Sequence, residues 1–153
     1  MQLISKTYWL GFPFNYRGDL PPDTTTTPVY LQAMDMRWIS GLFYTPPAAK
    51  RLNTGVLVMH PRADFSRHYC IPNLVDAGIS VLGLCTRTVN NDATAIHEDL
   101  LLDVARGVQY LKENGCDNVV LFGNSGGGSL FAFYQAEAEK KAGERLAQDP
   151  AGK

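Results

Sequence analysis

The stretch Val119-Val120-Leu121-Phe122-Gly123-Asn124-Ser125-Gly126-Gly127 decides how the chain is read. Four apolar residues run into a G-x-S-x-G turn, and a helix-like segment follows. To lift a serine hydroxyl clear of a sheet edge, the chain must turn sharply from strand to helix, with Ser125 in a strained conformation. Gly123 and Gly127, two before and two after the serine, remove Cβ atoms that would clash in such a turn. The turn also aims the backbone N–H of Gly126 at whatever carbonyl oxygen lies beside the hydroxyl. The competing reading of Ser125 is an ordinary helix N-cap; the buried strand before it and the flanking glycines favour an exposed nucleophile.

Working outward, the segments before this turn alternate between short apolar runs and helical patterns. Val56-Leu57-Val58-Met59 is a continuous apolar run, as expected of a strand covered on both faces. A loop over residues 60–66 follows, then a helix over about 67–77 that ends at Gly78, with Pro72 tolerable only near its first turn. A strand at 79–84 and a polar loop at 85–92 lead to a long helix over about 95–114. Its apolar positions Ile96, Leu100, Leu101, Val104, Val108 and Leu111 recur at helical spacing, and Asn114-Gly115 supply the stop. The strand 118–122 then feeds the G-x-S-x-G turn and a helix to about residue 142, near Gly143. Strands alternating with helices in this way imply right-handed crossovers and a parallel sheet with helices on both faces.

The N-terminal section is different. Gly11, Pro13, Gly18, Pro21, Pro22 and Pro28, with the threonine run 24–27, predict turns and irregular chain before the first strand. Residues 29–31 and 38–44 are strand-like, with a turn or continuous pairing between them, and Pro46-Pro47 closes the section. The chain is thus expected to form one incomplete α/β domain. Residues 1–50 carry irregular chain and N-terminal strands, 51–143 a βαβαβα core, and 144–153 a loose tail.

Composition narrows the possible functions. The 153 residues are enough for a real core, and the net charge of −1 supplies no field for nucleic acid or anionic lipid. No apolar run reaches membrane length. Residues 1–6 lack the apolar core of a secretory leader. Cys70, Cys85 and Cys116 are an odd number without C-x-x-C spacing, which suggests reduced thiols in the cytoplasm and no metal site. No cofactor is expected.

The strand ending in His60-Pro61-Arg62, the strand entry Ala77-Gly78-Ile79-Ser80-Val81-Leu82-Gly83-Leu84, and residues 99–114 leading to the turn at Ser125 occur in an order that resembles the α/β-hydrolase fold. The resemblance covers roughly residues 29–143. It implies a partial, mostly parallel sheet with antiparallel N-terminal strands. The strand before His60 should lie between the 79–84 and 118–122 strands. It further implies a serine hydrolase that attacks an ester, thioester or amide through an acyl-enzyme on Ser125. Carried over, the oxyanion donors would be the amides of Gly126 and Arg62, with His60 supporting their loop and Ala63 the alternative donor. Pro61 departs from the family's usual glycine and has no N–H.

The triad acid and histidine of the family would follow later than Lys153, so the resemblance implies an N-terminal half, close to inactive by itself. No role in catalysis is expected for His68 or His97, read as solvated surface histidines, nor for Ser129, read as a helix residue. Arg62, Arg67 and Arg87 fall on loops or helix starts after strand ends; they are either surface arginines or receivers of an anionic substrate group. The expected partners are a small acyl substrate and, through the unprotected apolar edge of the 118–122 strand, another copy of the chain. Two other readings are a phosphate-binding α/β domain, on the glycines around the turn, and a non-catalytic remnant that pairs with another chain.

Overall fold

The computed structural model describes residues 19–91 and 93–146. The turn-rich segment expected before residue 19 and most of the expected loose tail lie outside the described residues. The elements run β1 (Thr25–Gln32), β2 (Trp38–Thr45), β3 (Thr54–Met59), α1 (Ile71–Asp76), β4 (Ser80–Leu84), α2 (His97–Glu113), β5 (Asn118–Gly123) and α3 (Gly126–Ala138), with a 3-10 turn at Ala142–Glu144. One five-stranded sheet has the order β1-β2-β4-β3-β5. β1 and β2 form an antiparallel hairpin, and β2 pairs antiparallel with β4. β3 pairs in parallel with both β4 and β5. The His60 strand therefore lies between its two parallel neighbours, as the resemblance implies.

The continuous apolar strands are explained by helices on both faces. Leu57 and Met59 of β3, with Leu82 and Leu84 of β4, pack under Leu100, Val104 and Leu111 of α2 and Leu130 of α3. On the opposite face Val56, Val58 and Val81 meet Phe65, Ile71 and Val75, and Tyr44 joins them from β2. Each large aliphatic side chain buried in this way contributes about 1.5–3 kcal/mol. Gly107 lets α2 sit close to the sheet, since a Cβ there would come 2.9 Å from Leu57.

Several boundaries differ from expectation. β1 begins within the threonine run, at Thr25, because β-branched residues suit an extended strand. Pro28 is tolerated there because β1 lies at the edge of the sheet formed by the described residues. Residues 33–37 are a turn, closed by Ala33 N to Arg37 O at 2.8 Å. α1 starts only at Ile71, with Pro72 in its first turn. Ile96 is not part of the buried α2 stripe but an exposed N-cap. α3 stops at Ala138, short of the expected 142, where Arg145 donates to the carbonyls of Ala138 and Lys140, both at 3.0 Å.

Candidate active site

β5 ends at Gly123 and α3 begins at Gly126, so residues 124 and 125 alone make the turn. Ser125 carries φ 54° and ψ −127°, a combination that costs a residue with a Cβ roughly 1–3 kcal/mol. Its side chain makes no capping hydrogen bond and is exposed, which removes the helix-cap explanation for the serine. The first helical turn closes through Gly127 N to Asn124 O at 2.9 Å and Gly128 N to Ser125 O at 3.0 Å. The glycines around it are sterically required. A Cβ on Gly123 would lie 2.6 Å from the Gly128 backbone, and one on Gly127 2.3 Å from the Met59 carbonyl oxygen. The second contact seats the start of α3 on the carboxyl end of β3.

The parallel register Met59↔Gly123 brings the next residue of β3, His60, alongside the turn. A Cβ on Gly126 would stand 3.1 Å from His60 Nε2. The His60 loop is held from both sides. Within it, the Arg62 and Ala63 amides donate to His60 Nδ1 at 3.1 and 2.9 Å. From the loop after β4, the hydroxyls of Thr86 and Thr88 both donate to the Pro61 carbonyl, at 2.6 and 2.8 Å. Asn90 N donates to the Arg62 carbonyl at 2.8 Å. The arrangement differs from the expectation for Arg62 as an oxyanion donor: its amide is directed at the His60 ring, and the alternative, Ala63, is directed there too. The His60 ring accepts both amides at one nitrogen, and Pro61 has no N–H to offer in their place.

His68 is not a surface histidine. It is fully buried, its ring packed 4.6 Å from Phe65, 4.1 Å from Tyr69 and 5.7 Å from Phe122 between centroids. Nδ1 lies 3.0 Å from Cys70 Sγ, and Nε2 lies 3.2 Å from the side-chain nitrogen of Asn124, which also donates to Tyr69 Oη at 3.0 Å. Burial holds this imidazole down at about 4, so it is neutral at physiological pH. His68 therefore braces the turn from beneath, through the residue that precedes Ser125. The available signal was Asn124, the variable position inside G-x-S-x-G, whose amide needs partners if it is turned inward.

Arg87 is likewise placed differently from a substrate-binding arginine. Its side chain bonds Asp103 Oδ1 through Nε at 3.0 Å and Nη2 at 2.7 Å, and its amide donates to Asp103 Oδ2 at 2.9 Å. The same guanidinium pairs with Asp35 in the β1–β2 turn. This ion network ties hairpin, loop and α2 together. Asp64, next to the His60 loop, accepts from Ser66 N at 2.8 Å and Cys85 Sγ at 3.1 Å. Burial pulls its carboxyl upward, but these bonds together outweigh it and leave Asp64 below its ordinary value. Arg67 and His97 are exposed, and Ser129 Oγ donates to Gly126 O at 2.9 Å within α3. The three cysteines are free thiols; burial pushes Cys70 up to about 11 and Cys85 up to about 12, so neither is a ready thiolate. Among the described residues, no group of three or more His, Cys, Asp or Glu could hold a metal ion. Among them, too, no helix is long and apolar enough to cross a membrane.

No protein-family model matches the sequence, and no curated protein sequence matches it. Solved structures do. A brefeldin A esterase, described as a bacterial homologue of human hormone-sensitive lipase, superposes with TM-score 0.60 at 22% identity over 82% of this chain and 39% of its own. An esterase of Pyrococcus furiosus gives 0.64 at 20% identity, over 83% of this chain and 52% of its own. A lid-less α/β serine hydrolase of Xanthomonas campestris gives 0.58 at 17% identity, over 81% of this chain and 61% of its own. The chain thus spans between about two fifths and three fifths of the length of these structures. With its sheet order, crossovers and strained serine turn, the chain has a partial α/β-hydrolase fold.

Proposed function

We propose that the chain carries the nucleophile-bearing part of a serine acyl hydrolase acting on a carboxylic ester, thioester or amide. The observation that carries this reading is Ser125 itself: exposed, uncapped and at positive φ between a buried sheet and a helix start. A helix cap needs no such backbone, and a strained serine persists only where the surrounding structure over-determines it. In the reaction Ser125 Oγ adds to the carbonyl carbon and its proton passes to an imidazole base. The tetrahedral oxyanion then collapses, expelling the alcohol, thiol or amine, which takes up that proton. Water later cleaves the acyl-enzyme by the same route. The Gly126 amide is assigned as one oxyanion donor, with Gly123 and Gly127 shaping the turn.

We assign the base to none of His60, His68 and His97. His68 is committed beneath the turn, and His97 sits at the exposed start of α2. His60 Nδ1 already accepts two amides. The base and its orienting acid belong to sequence outside these residues, and the isolated chain is close to inactive. The free thiols fit a reducing compartment, and a cytoplasmic location is part of the proposal.

Treatment with a fluorophosphonate probe, with exogenous imidazole as a substitute base, tests the reading by mass-spectrometric mapping of the adduct. The expected result is a single adduct on Ser125, lost in Ser125→Ala and kept in Ser129→Ala. Labelling spread over surface serines with no preference for Ser125 would refute the nucleophile.

A further inference from the structure

We propose that Thr86 and Thr88 are positioning residues for the reaction at Ser125. Through the Pro61 carbonyl they fix the direction of the loop amides and, through those amides, the stance of the His60 ring beside Gly126. The inference rests on the nucleophile reading of Ser125. Both threonines are buried in the loop after β4, and Pro61 is buried too. Their hydroxyls donate to the same oxygen at 2.6 and 2.8 Å, which fills both of its lone pairs. One partner satisfies a buried carbonyl; two from one loop also fix its direction.

Direction matters because the peptide unit is planar. In a trans peptide the C=O and the N–H that follows it point opposite ways, and no peptide bond among the described residues is cis. A Pro61 carbonyl held toward Thr86 and Thr88 therefore turns the Arg62 N–H away from them, onto His60 Nδ1 at 3.1 Å. The next unit repeats the arrangement. Asn90 N donates to the Arg62 carbonyl at 2.8 Å, and the Ala63 N–H reaches the same Nδ1 at 2.9 Å. Asn90 stands at φ 58°, a left-handed conformation that asparagine tolerates better than most residues. Two successive carbonyls are thus gripped by one loop, and two successive amides converge on one ring nitrogen.

The ring held in this way stands against the nucleophile turn. Its Nε2 is 3.1 Å from the Cβ position of Gly126, and Phe65 packs on it with centroids 5.0 Å apart. Rotating the Pro61–Arg62 unit would loosen both amide bonds and let the ring shift relative to Gly126. The room beside the Gly126 amide, and with it the approach of a carbonyl to Ser125, depends on where that ring stands. The threonines act only through this chain of bonds and take no part in the chemistry. Misplacement by about 1 Å at a reacting centre costs about 10²-fold in rate, so a contact at this distance from the serine is enough to matter.

The test measures the rate at which the fluorophosphonate modifies Ser125 with exogenous imidazole present, well below the melting temperature of each variant. Thr86→Val and Thr88→Val each keep the shape and remove one hydroxyl, so the Pro61 carbonyl retains one partner. Thr86→Ser and Thr88→Ser keep the hydroxyl and lose the methyl. The expected result is slowing by about 10- to 10²-fold in the valine variants, with most of the rate kept in the serine variants. The NMR signals of the Arg62 and Ala63 amides should move in the valine variants and stay in the serine ones. A merely stabilising role would lower the melting temperature and leave the rate of the folded protein unchanged. That outcome overturns the proposal and leaves the nucleophile intact, as does equal slowing in serine and valine variants, which would tie the effect to packing. If wild-type Ser125 takes no probe, the nucleophile reading fails and this one falls with it. Should neither valine variant fold, hydrogen exchange of the wild-type protein decides. The Arg62 and Ala63 amides should then be protected as strongly as those of β3, and rapid exchange of either would show that the loop is not held.

Discussion

His68 Nε2 lies 3.2 Å from the side-chain nitrogen of Asn124, so a fully buried imidazole supports the residue immediately before the strained serine. A group one peptide from Ser125 is thereby tied to the interior of the domain and shares its stability. Burial, not a charge partner, sets the protonation state of the ring.

That imidazole makes stability depend on pH in a defined direction. Its folded value, about 4, is below the ordinary 6.5, so the unfolded chain binds the proton first as pH falls. Stability from this site is fully present above about 6.5 and is lost toward about 4, amounting to at most about 3 kcal/mol. Asp35 and Asp64, whose carboxyls are held below the ordinary 3.8, lose their contribution at still lower pH, below this range. The comparison must be between proteins. Urea unfolding of wild type and His68→Gln across this range should show a steeper acid loss in wild type; parallel curves would contradict the buried neutral imidazole.

The glycines of the turn should respond in opposite ways. Gly127→Ala places a Cβ 2.3 Å from the Met59 carbonyl oxygen and should destabilise by about 1–3 kcal/mol, lifting α3 off β3. Gly128→Ala meets nothing closer than 4.0 Å and lies inside the helix, so it should stabilise by about 0.5–1 kcal/mol. Thermal denaturation of the two variants, measured side by side, reads both signs.

Removing the Arg87 guanidinium strands a fully buried Asp103 carboxylate. Arg87→Met should cost about 3–5 kcal/mol. Asp35→Asn breaks the more exposed arm of the network and should cost less than about 1 kcal/mol. Chemical denaturation of both variants tests the ranking, and equal losses would show that the hairpin turn matters as much as α2.

Among the described residues β5 pairs with β3 alone, and Val120 on it is 49% exposed. Its sequence has no Lys or Pro to discourage pairing with another chain. The expected outcome is concentration-dependent association of residues 1–153 in sedimentation velocity, reduced by Val120→Lys. A monomer at every concentration would mean that the edge is covered.

The order of elements, the parallel core and the turn at Ser125 were legible in the sequence because each depends on local rules. Apolar runs of four to six residues, helical periodicity over 100–111 and glycines at fixed offsets report what their own neighbourhood must do. The antiparallel partners at the N-terminal side were legible too, though the threonine run concealed where β1 begins, since threonine serves turns and strands equally well. His68, Arg87, Asp103 and the direction of the Arg62 amide were not legible. Their roles depend on contacts between segments far apart in the chain: residue 68 with 124, residue 87 with 35 and 103, and the His60 loop with Thr86 and Thr88. Sequence by itself determined that a serine would stand at a strained strand-to-helix turn. Only the tertiary structure decided which side chains hold that turn and which way the neighbouring N–H groups point, because a polar group's partners are fixed by packing in three dimensions and leave no periodic trace along the chain.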